Sequence, residues 1–197
     1  MSFTSATVCE LIFSNVGLYT AVTYGSASEA SLIGTNRPII PAGFFDPARG
    51  GGKRIKIEAS GILSTTGTPT WTFTVGMGTS TTWSSSDSDL GVTAAMTTIA
   101  SGVSNRYWKL DFDIHCVSVG IGSNGMTLCS SGIIFGPTAF ASPFMYDLAP
   151  TTPPTATWTT AVWDSAVTYY IGLSAACGSA SASNALKVQQ LAVYGLN

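Results

Sequence analysis

Alternating apolar and polar residues recur along this chain and predict β-strands. Residues 70–75 read TWTFTV, with aromatic or aliphatic side chains at every second position and threonine between them. A period of two residues is typical of a strand with one buried face. Alternation of this kind, or a shorter apolar run bounded by turn residues, also marks residues 53–63, 106–120, 125–136, 166–178 and 185–196. These segments are predicted strands, whereas residues 1–30 fit either a short helix or a strand.

Glycine, serine and proline separate the predicted strands at short intervals, and no stretch shows a long helical period. Many short strands without helices in a chain of 197 residues indicate a single all-β domain, folded as a sandwich or a barrel. The pattern alone leaves immunoglobulin-like, jelly-roll and barrel topologies open.

The polar face of the strand at residues 70–75 carries threonine instead of charge. Only 9% of the chain is charged, against about a quarter in an ordinary soluble domain, and serine and threonine together supply 51 residues. Hydroxyl groups cost far less to bury in a protein contact than ions do. We therefore predict that Thr70, Thr72 and Thr74 form a contact surface. The alternative is that threonine is frequent because it suits the pleated surface of a sheet.

The charge balance, the hydrophobicity and the N-terminal residues argue against a nucleic-acid-binding, a membrane-spanning and a secreted protein. With a formal net charge of −2, the chain has no general attraction to nucleic acid or to anionic membranes. No apolar run approaches the roughly 18–20 residues that a membrane span needs. The opening MSFTSATVCELIF lacks a basic segment and a clear cleavage site, so no secretory signal is expected. We expect the protein to be made in a cytoplasm.

The four cysteines are scattered without metal-binding spacing, and Cys116 and Cys129 form the one notable pair. A hairpin turn centred near Gly122 and Ser123 would place these two cysteines opposite each other. A cross-strand disulfide is then geometrically conceivable, although a reducing cytoplasm argues against it.

Asp111, Asp113 and His115 share one face of a predicted strand and are the candidate metal ligands. Alternate residues on a strand are about 6.5–7 Å apart, so side chains in a row rarely close around one ion without a ligand from a loop. The simpler interpretation is the polar side of an amphipathic strand, and we expect neither a metal nor a cofactor.

The basic residues Arg49, Lys53 and Arg54 lie close together around a run of glycines. They are candidates for contact with phosphate or, as the stronger of the two, with an acidic patch on a partner protein. The alternative is a flexible loop that leads into a strand. Residues 120–125, GIGSNG, match a dinucleotide-binding pattern, but a strand-like segment follows them where that motif requires a helix, so they are predicted turn residues.

The sequence contains none of the common catalytic motifs and only one histidine, so acid–base catalysis has few groups to use. We expect that the protein is not an enzyme.

Three segments resemble a family of structural proteins from tailed bacteriophages and prophages. They are RPIIPAGFFDPARGGGKRIKIEASGILSTTGTPTWTFTVGMG (37–78), ASGVSNRYWKLDFDIHCVSVG (100–120) and GSASASNALKVQQLAVYGLN (178–197). The resemblance implies a jelly-roll-type antiparallel β-sandwich over residues 37–197, with residues 1–36 as a divergent N-terminal arm. It also implies association into homo-oligomers, with trimers favoured, and carries over no catalytic residues.

The leading hypothesis is a capsid decoration, or cement, protein on the virion surface that binds the major capsid protein and stabilises the head. The alternative is a tail- or fibre-associated module that recognises a host glycan or protein, with Trp83, Trp158 and Trp163 stacking on sugar rings. A carbohydrate-active enzyme on a jelly roll would need a pair of carboxylates that the sequence does not suggest.

Overall fold

The structure, a computed structural model, describes residues 9–17, 19–45, 53–98, 102–118, 126–136, 146–149 and 159–196. These residues form fourteen β-strands and no helix. The strands are β1 (Cys9–Val16), β2 (Val22–Tyr24), β3 (Ala30–Ser31), β4 (Ile39–Ile40), β5 (Arg54–Thr65), β6 (Thr70–Gly78), β7 (Ser88–Thr93), β8 (Met96–Thr97), β9 (Val103–Ser118), β10 (Met126–Phe135), β11 (Tyr146–Ala149), β12 (Thr159–Trp163), β13 (Tyr169–Cys177) and β14 (Ser181–Leu196).

Two antiparallel sheets pack face to face as a β-sandwich. The first sheet has the strand order β1-β14-β5-β9-β10, and the second has the order β7-β6-β13-β3, with β4 also on β13. Strand β11 pairs with both β10 and β7, so it links the two sheets along one edge. The opposite edge, formed by β1 on one sheet and by β3 and β4 on the other, carries no such link in the described residues.

The strand order is that of a jelly roll. With β3 and β4 taken together, the eight principal strands in chain order are β1, β3/β4, β5, β6, β7, β9, β13 and β14. When these strands are numbered one to eight, the first sheet has the order 1-8-3-6 and the second sheet has the order 2-7-4-5. This interleaving of early and late strands is that of a jelly roll. The prediction of a single-domain all-β jelly-roll sandwich is confirmed, and β10 and β12 are additions to the first sheet.

The core lies between the sheets and follows the alternation in the sequence. Trp71, Phe73 and Val75 of β6 are fully buried, as are every second residue from Trp108 to Ile114 of β9. The Phe73 and Trp108 rings lie 5.3 Å apart between the two layers. The period-two pattern therefore identified the inner face of both strands correctly.

Residues before position 37 belong to this same core. Strands β1 and β2 pair with β14, and β3 pairs with β13. Tyr24 is buried and meets Trp71 edge to face at 4.9 Å. Within the described residues, the packing thus shows no boundary at residue 36, and residues 1–8 lie outside the described part of the chain.

The register that would place Cys116 opposite Cys129, considered above for a turn centred near Gly122 and Ser123, is wrong by one residue. Cys116 lies opposite Leu128, and Cys129 lies opposite His115. A shift of one residue turns a side chain to the other face of a sheet. The two thiols therefore point to opposite faces of the first sheet, and none of the four cysteines is in a disulfide.

The described chain contains no helix of the length and hydrophobicity that crossing a lipid bilayer would require.

Candidate interaction groove at the open edge of the sandwich

A groove of about 430 Å³ opens at the unlinked edge of the sandwich. One wall comes from β1 and the other from β4 and the turn that follows it. The residues that line this edge groove are Glu10, Leu11, Ile12, Ile39, Pro41, Ala42, Gly43, Phe44 and Lys53. The PAGFF motif, residues 41–45, thus supplies most of one wall.

The β1 wall is formed by an outermost strand. On its inner side β1 pairs with β14 from Cys9 to Val16, with one irregularity between Leu11 and Phe13. Leu11 is 55% exposed even though it is a large aliphatic residue. This wall therefore offers an apolar side chain and a strand edge that has no partner strand among the described residues.

The opposite wall is a tight turn anchored to the loop before β13. The Phe44 amide donates to the Pro41 carbonyl at 3.1 Å, and the Gly43 amide donates to the Ser165 carbonyl at 2.7 Å. Gly43 has a φ of 76°, a conformation that side-chain-bearing residues adopt at a cost. The turn is thereby held in place, and Ile39 at its start is left 51% exposed.

The floor of the groove is aromatic and tightly packed. Phe44 is buried and meets Phe45 edge to face at 4.9 Å. Gly195 of β14 lies beneath the Phe44 ring, where a Cβ atom would be only 3.0 Å from it. This close approach holds the PAGFF turn against the first sheet.

Lys53 brings a positive charge to the groove and Glu10 a negative one. The Lys53 ammonium lies 4.9 Å from the centre of the Phe44 ring, within the range of a cation–π contact. Of the basic residues predicted to meet a partner, Lys53 therefore lies in the groove, while Arg49 falls outside the described residues. The groove offers apolar side chains, a strand edge and one charge of each sign, a set suited to binding protein.

Arg54 lies on the outer face of the first sheet and is engaged by a carboxylate of the same chain. Its Nε donates to Oδ1 of Asp113 at 2.8 Å, and its Nη2 lies 2.7 Å from the same oxygen. His115 is exposed directly across from Arg54 on β9. Asp113 is thus paired with a guanidinium in this structure.

Asp111, the remaining candidate ligand, also has a cationic partner. Lys109 lies 2.8 Å from it, and Lys56 lies 2.6 Å from Glu58 on the neighbouring strand. A hydrogen bond to Glu58 raises the pKa of Lys56, and one to Asp111 raises the pKa of Lys109. Nowhere in the described residues do three His, Cys, Asp or Glu side chains form a group that could hold a metal ion. The outer face of the first sheet carries a balanced ladder of charges, as expected of a solvated strand face.

We expect the Arg54–Asp113 pair to contribute little to stability, because both side chains are partly exposed to water. A double-mutant cycle with Arg54→Ala and Asp113→Ala, read from urea unfolding, should give a coupling energy of about 0.2–1 kcal/mol. The coupling should decrease at high salt, because screening weakens exposed ion pairs. A coupling of about 2 kcal/mol or more would contradict this assignment.

The predicted threonine surface is partly covered by the chain itself. Thr70 and Thr72 are half-buried, but Thr74 is only 6% exposed. Beside Thr74 on β13, Ser174 is buried and donates to Glu29 at 2.5 Å. Thr74 is therefore not available to a partner, and only Thr70 and Thr72 keep exposed surface.

Arg37 is a structural residue that no pattern in the sequence predicted. Its side chain is fully buried and forms an ion pair of 2.6 Å with Asp87. Its remaining N–H groups donate to four main-chain carbonyls, those of Ser80, Thr82, Tyr170 and Ile171. Arg37 thereby joins the loop of residues 79–87 to β13. The one signal in the sequence was an isolated arginine in the apolar, proline-containing stretch NRPIIP.

The tryptophans of the glycan-binding alternative do not form an exposed platform in the described residues. Trp163 is buried and meets the buried Tyr169 edge to face at 5.1 Å. Trp83 is half-buried and packs over Gly172, where its ring would lie 3.0 Å from an added Cβ atom. Trp158 lies outside the described residues.

The fold and the groove define this protein as a jelly-roll β-sandwich with an unlinked, partly apolar edge. No protein-family model matches the chain, and no curated protein is similar to it.

Proposed function

We propose that this protein is a structural component of a tailed-bacteriophage virion, a decoration protein that binds the major capsid protein and stabilises the head. In this role it forms homo-oligomers on the capsid surface and performs no catalysis. It requires no cofactor, nucleic acid or membrane.

One observation carries the proposal: the PAGFF motif, which belongs to the segment that resembles phage structural proteins, forms a wall of the edge groove. Leu11 and Ile39 leave large aliphatic surfaces exposed in the same groove. Exposed apolar surface of this kind, in a chain with so little charge, suits contacts between proteins.

The jelly-roll sandwich supports the same role. A shell protein needs a rigid body that presents several modest contact surfaces, and a core packed between two sheets supplies that rigidity. The tail-associated alternative gains no comparable support, because Trp163 is buried and Trp83 packs against β13.

The copy number of this chain in purified particles tests the proposal. We expect quantitative mass spectrometry, with isotope-labelled peptides of both proteins, to give one copy per major capsid subunit or a simple fraction of it. A decoration protein covers the shell, so its number must follow the number of capsid subunits. A handful of copies per particle would instead place the protein in the tail or at a single vertex, and its absence from particles would refute a virion role.

A further inference from the structure

Strand β1 is an edge strand with little protection against further pairing. It occupies the end of the first sheet and, within the described residues, pairs with β14 alone. Its eight residues, CELIFSNV, include no proline and no lysine, and Glu10 is the one charged residue. Natural edge strands are usually blocked by such residues, by bulges or by a covering segment. Among the described residues, Glu10 and the irregularity at Ile12 are the two such devices on β1.

The exposed apolar side chains concentrate around this edge. Leu11 and Val16 of β1 are 55% and 68% exposed, and Ile39 faces Leu11 across the groove. They are three of the five large hydrophobic residues that the described surface leaves exposed. A partner that adds a strand to β1 would cover Leu11 and Val16 while it pairs with the main-chain groups that have no partner strand among the described residues.

The charges at the edge are compatible with a second copy of the same chain. In an antiparallel pairing about a two-fold axis, one residue lies opposite its own copy. If the axis passes through any residue from Leu11 to Ser14, Glu10 of one copy lies opposite a different residue of the second copy. The two Glu10 carboxylates then do not face each other. The groove of each copy also carries Lys53, so the described lining of each copy contributes one acid and one base. An edge that is neutral in this way fits its own copy better than it fits a strongly charged partner.

The length of β1 is sufficient for such a contact. Eight residues at about 3.4 Å each extend about 27 Å. Two sheets that pack about 10 Å apart, together with the side chains on their outer faces, give an edge about 20 Å deep. A contact of that length and depth buries roughly 500 Å² on each copy, close to the lower limit of about 1,000 Å² in total for a specific interface.

We propose that two copies of this chain associate through β1, which pairs antiparallel with β1 of the second copy about a two-fold axis. The two first sheets then form one continuous sheet, and Leu11 and Val16 are covered. This inference rests on one part of the proposed function, namely that the edge groove is a surface for contacts between proteins. Its test needs no virus particle, so its failure is distinguishable from failure of the virion role.

The test compares the mass of the purified protein in solution with that of two variants over a dilution series. We expect a dimer for the wild type by light scattering. The double variant Leu11→Lys/Val16→Lys should weaken dimer affinity by about tenfold or more, because an unpaired ammonium group is costly to bury. Val117→Lys is the matched control: Val117 is 53% exposed, nearly as much as Leu11, but it lies on β9 away from the edge. This control should dimerise like the wild type.

Hydrogen exchange on the wild type gives a second measurement that needs no variant. Amides of β1 should become more protected as the protein concentration rises, whereas those of β9 should not change. A monomer at all concentrations, or a trimer, would overturn the proposal. A dimer that is lost with Val117→Lys and kept with Leu11→Lys/Val16→Lys would place the contact on the outer face of the first sheet instead.

Discussion

Replacing Arg37 with alanine is expected to lower the free energy of unfolding by about 3–5 kcal/mol, because it leaves the nearly buried carboxylate of Asp87 without its partner. The four main-chain carbonyls that accept from the guanidinium would also lose their donors. Urea unfolding followed by intrinsic fluorescence measures the change. The loop of residues 79–87 should become more sensitive to protease, since Arg37 joins it to β13.

Arg106→Ala is the control for this experiment. Arg106 is an exposed arginine of β9, so its removal should change stability by no more than about 0.5 kcal/mol. Arg37→Lys should fall between the wild type and alanine, because an ammonium group keeps the charge but cannot reproduce the planar set of donors. If Arg37→Ala were as stable as Arg106→Ala, the contacts of Arg37 would not be what holds the loop of residues 79–87 against β13.

Replacing Gly61 with alanine is expected to destabilise the protein by about 3 kcal/mol or more, because no space exists for even one carbon atom. An added Cβ would lie 1.9 Å from the main-chain oxygen of Lys187 and 2.9 Å from the Trp108 ring. The first contact is with backbone in the centre of the first sheet, so β14 would have to move away from β5. Thermal and urea unfolding both report the loss.

Gly25→Ala is the matched substitution in open space. No atom lies within 4 Å of a Cβ added at Gly25. This variant should stay within about 0.5 kcal/mol of the wild type. If Gly61→Ala unfolded at the same urea concentration as Gly25→Ala, β5 and β14 could separate at little cost in free energy. That result would contradict the prediction.

The strands themselves could be predicted from local alternation. In β5, β6 and β9 every second residue is apolar, and those residues are buried between the sheets. This inference needs no knowledge of partners, because burial of one face is a property of each strand alone.

The edge groove and the contacts of Arg37 with Asp87 and the four carbonyls could not be predicted in the same way. Arg37 reaches carbonyls that lie more than 130 positions away along the chain, and the groove joins β1 to a turn some thirty residues later. The local sequences NRPIIP and CELIFSNV do not indicate which other segments of the chain these residues will contact in the fold. The covered position of Thr74 has the same origin, since Glu29 and Ser174 approach β6 from distant segments.

The sequence by itself determined that this protein is an all-β domain with little charge, and which face of its principal strands is buried, whereas the choice between a sandwich and a barrel stayed open. Only the tertiary structure decided the register, the open edge and the residues that line it. The displacement of Cys116 from Cys129 by one position shows why. The alternation of a strand specifies its faces, but the pairing of two strands depends on the packing of the entire sheet, and a shift of one residue reverses what each face presents.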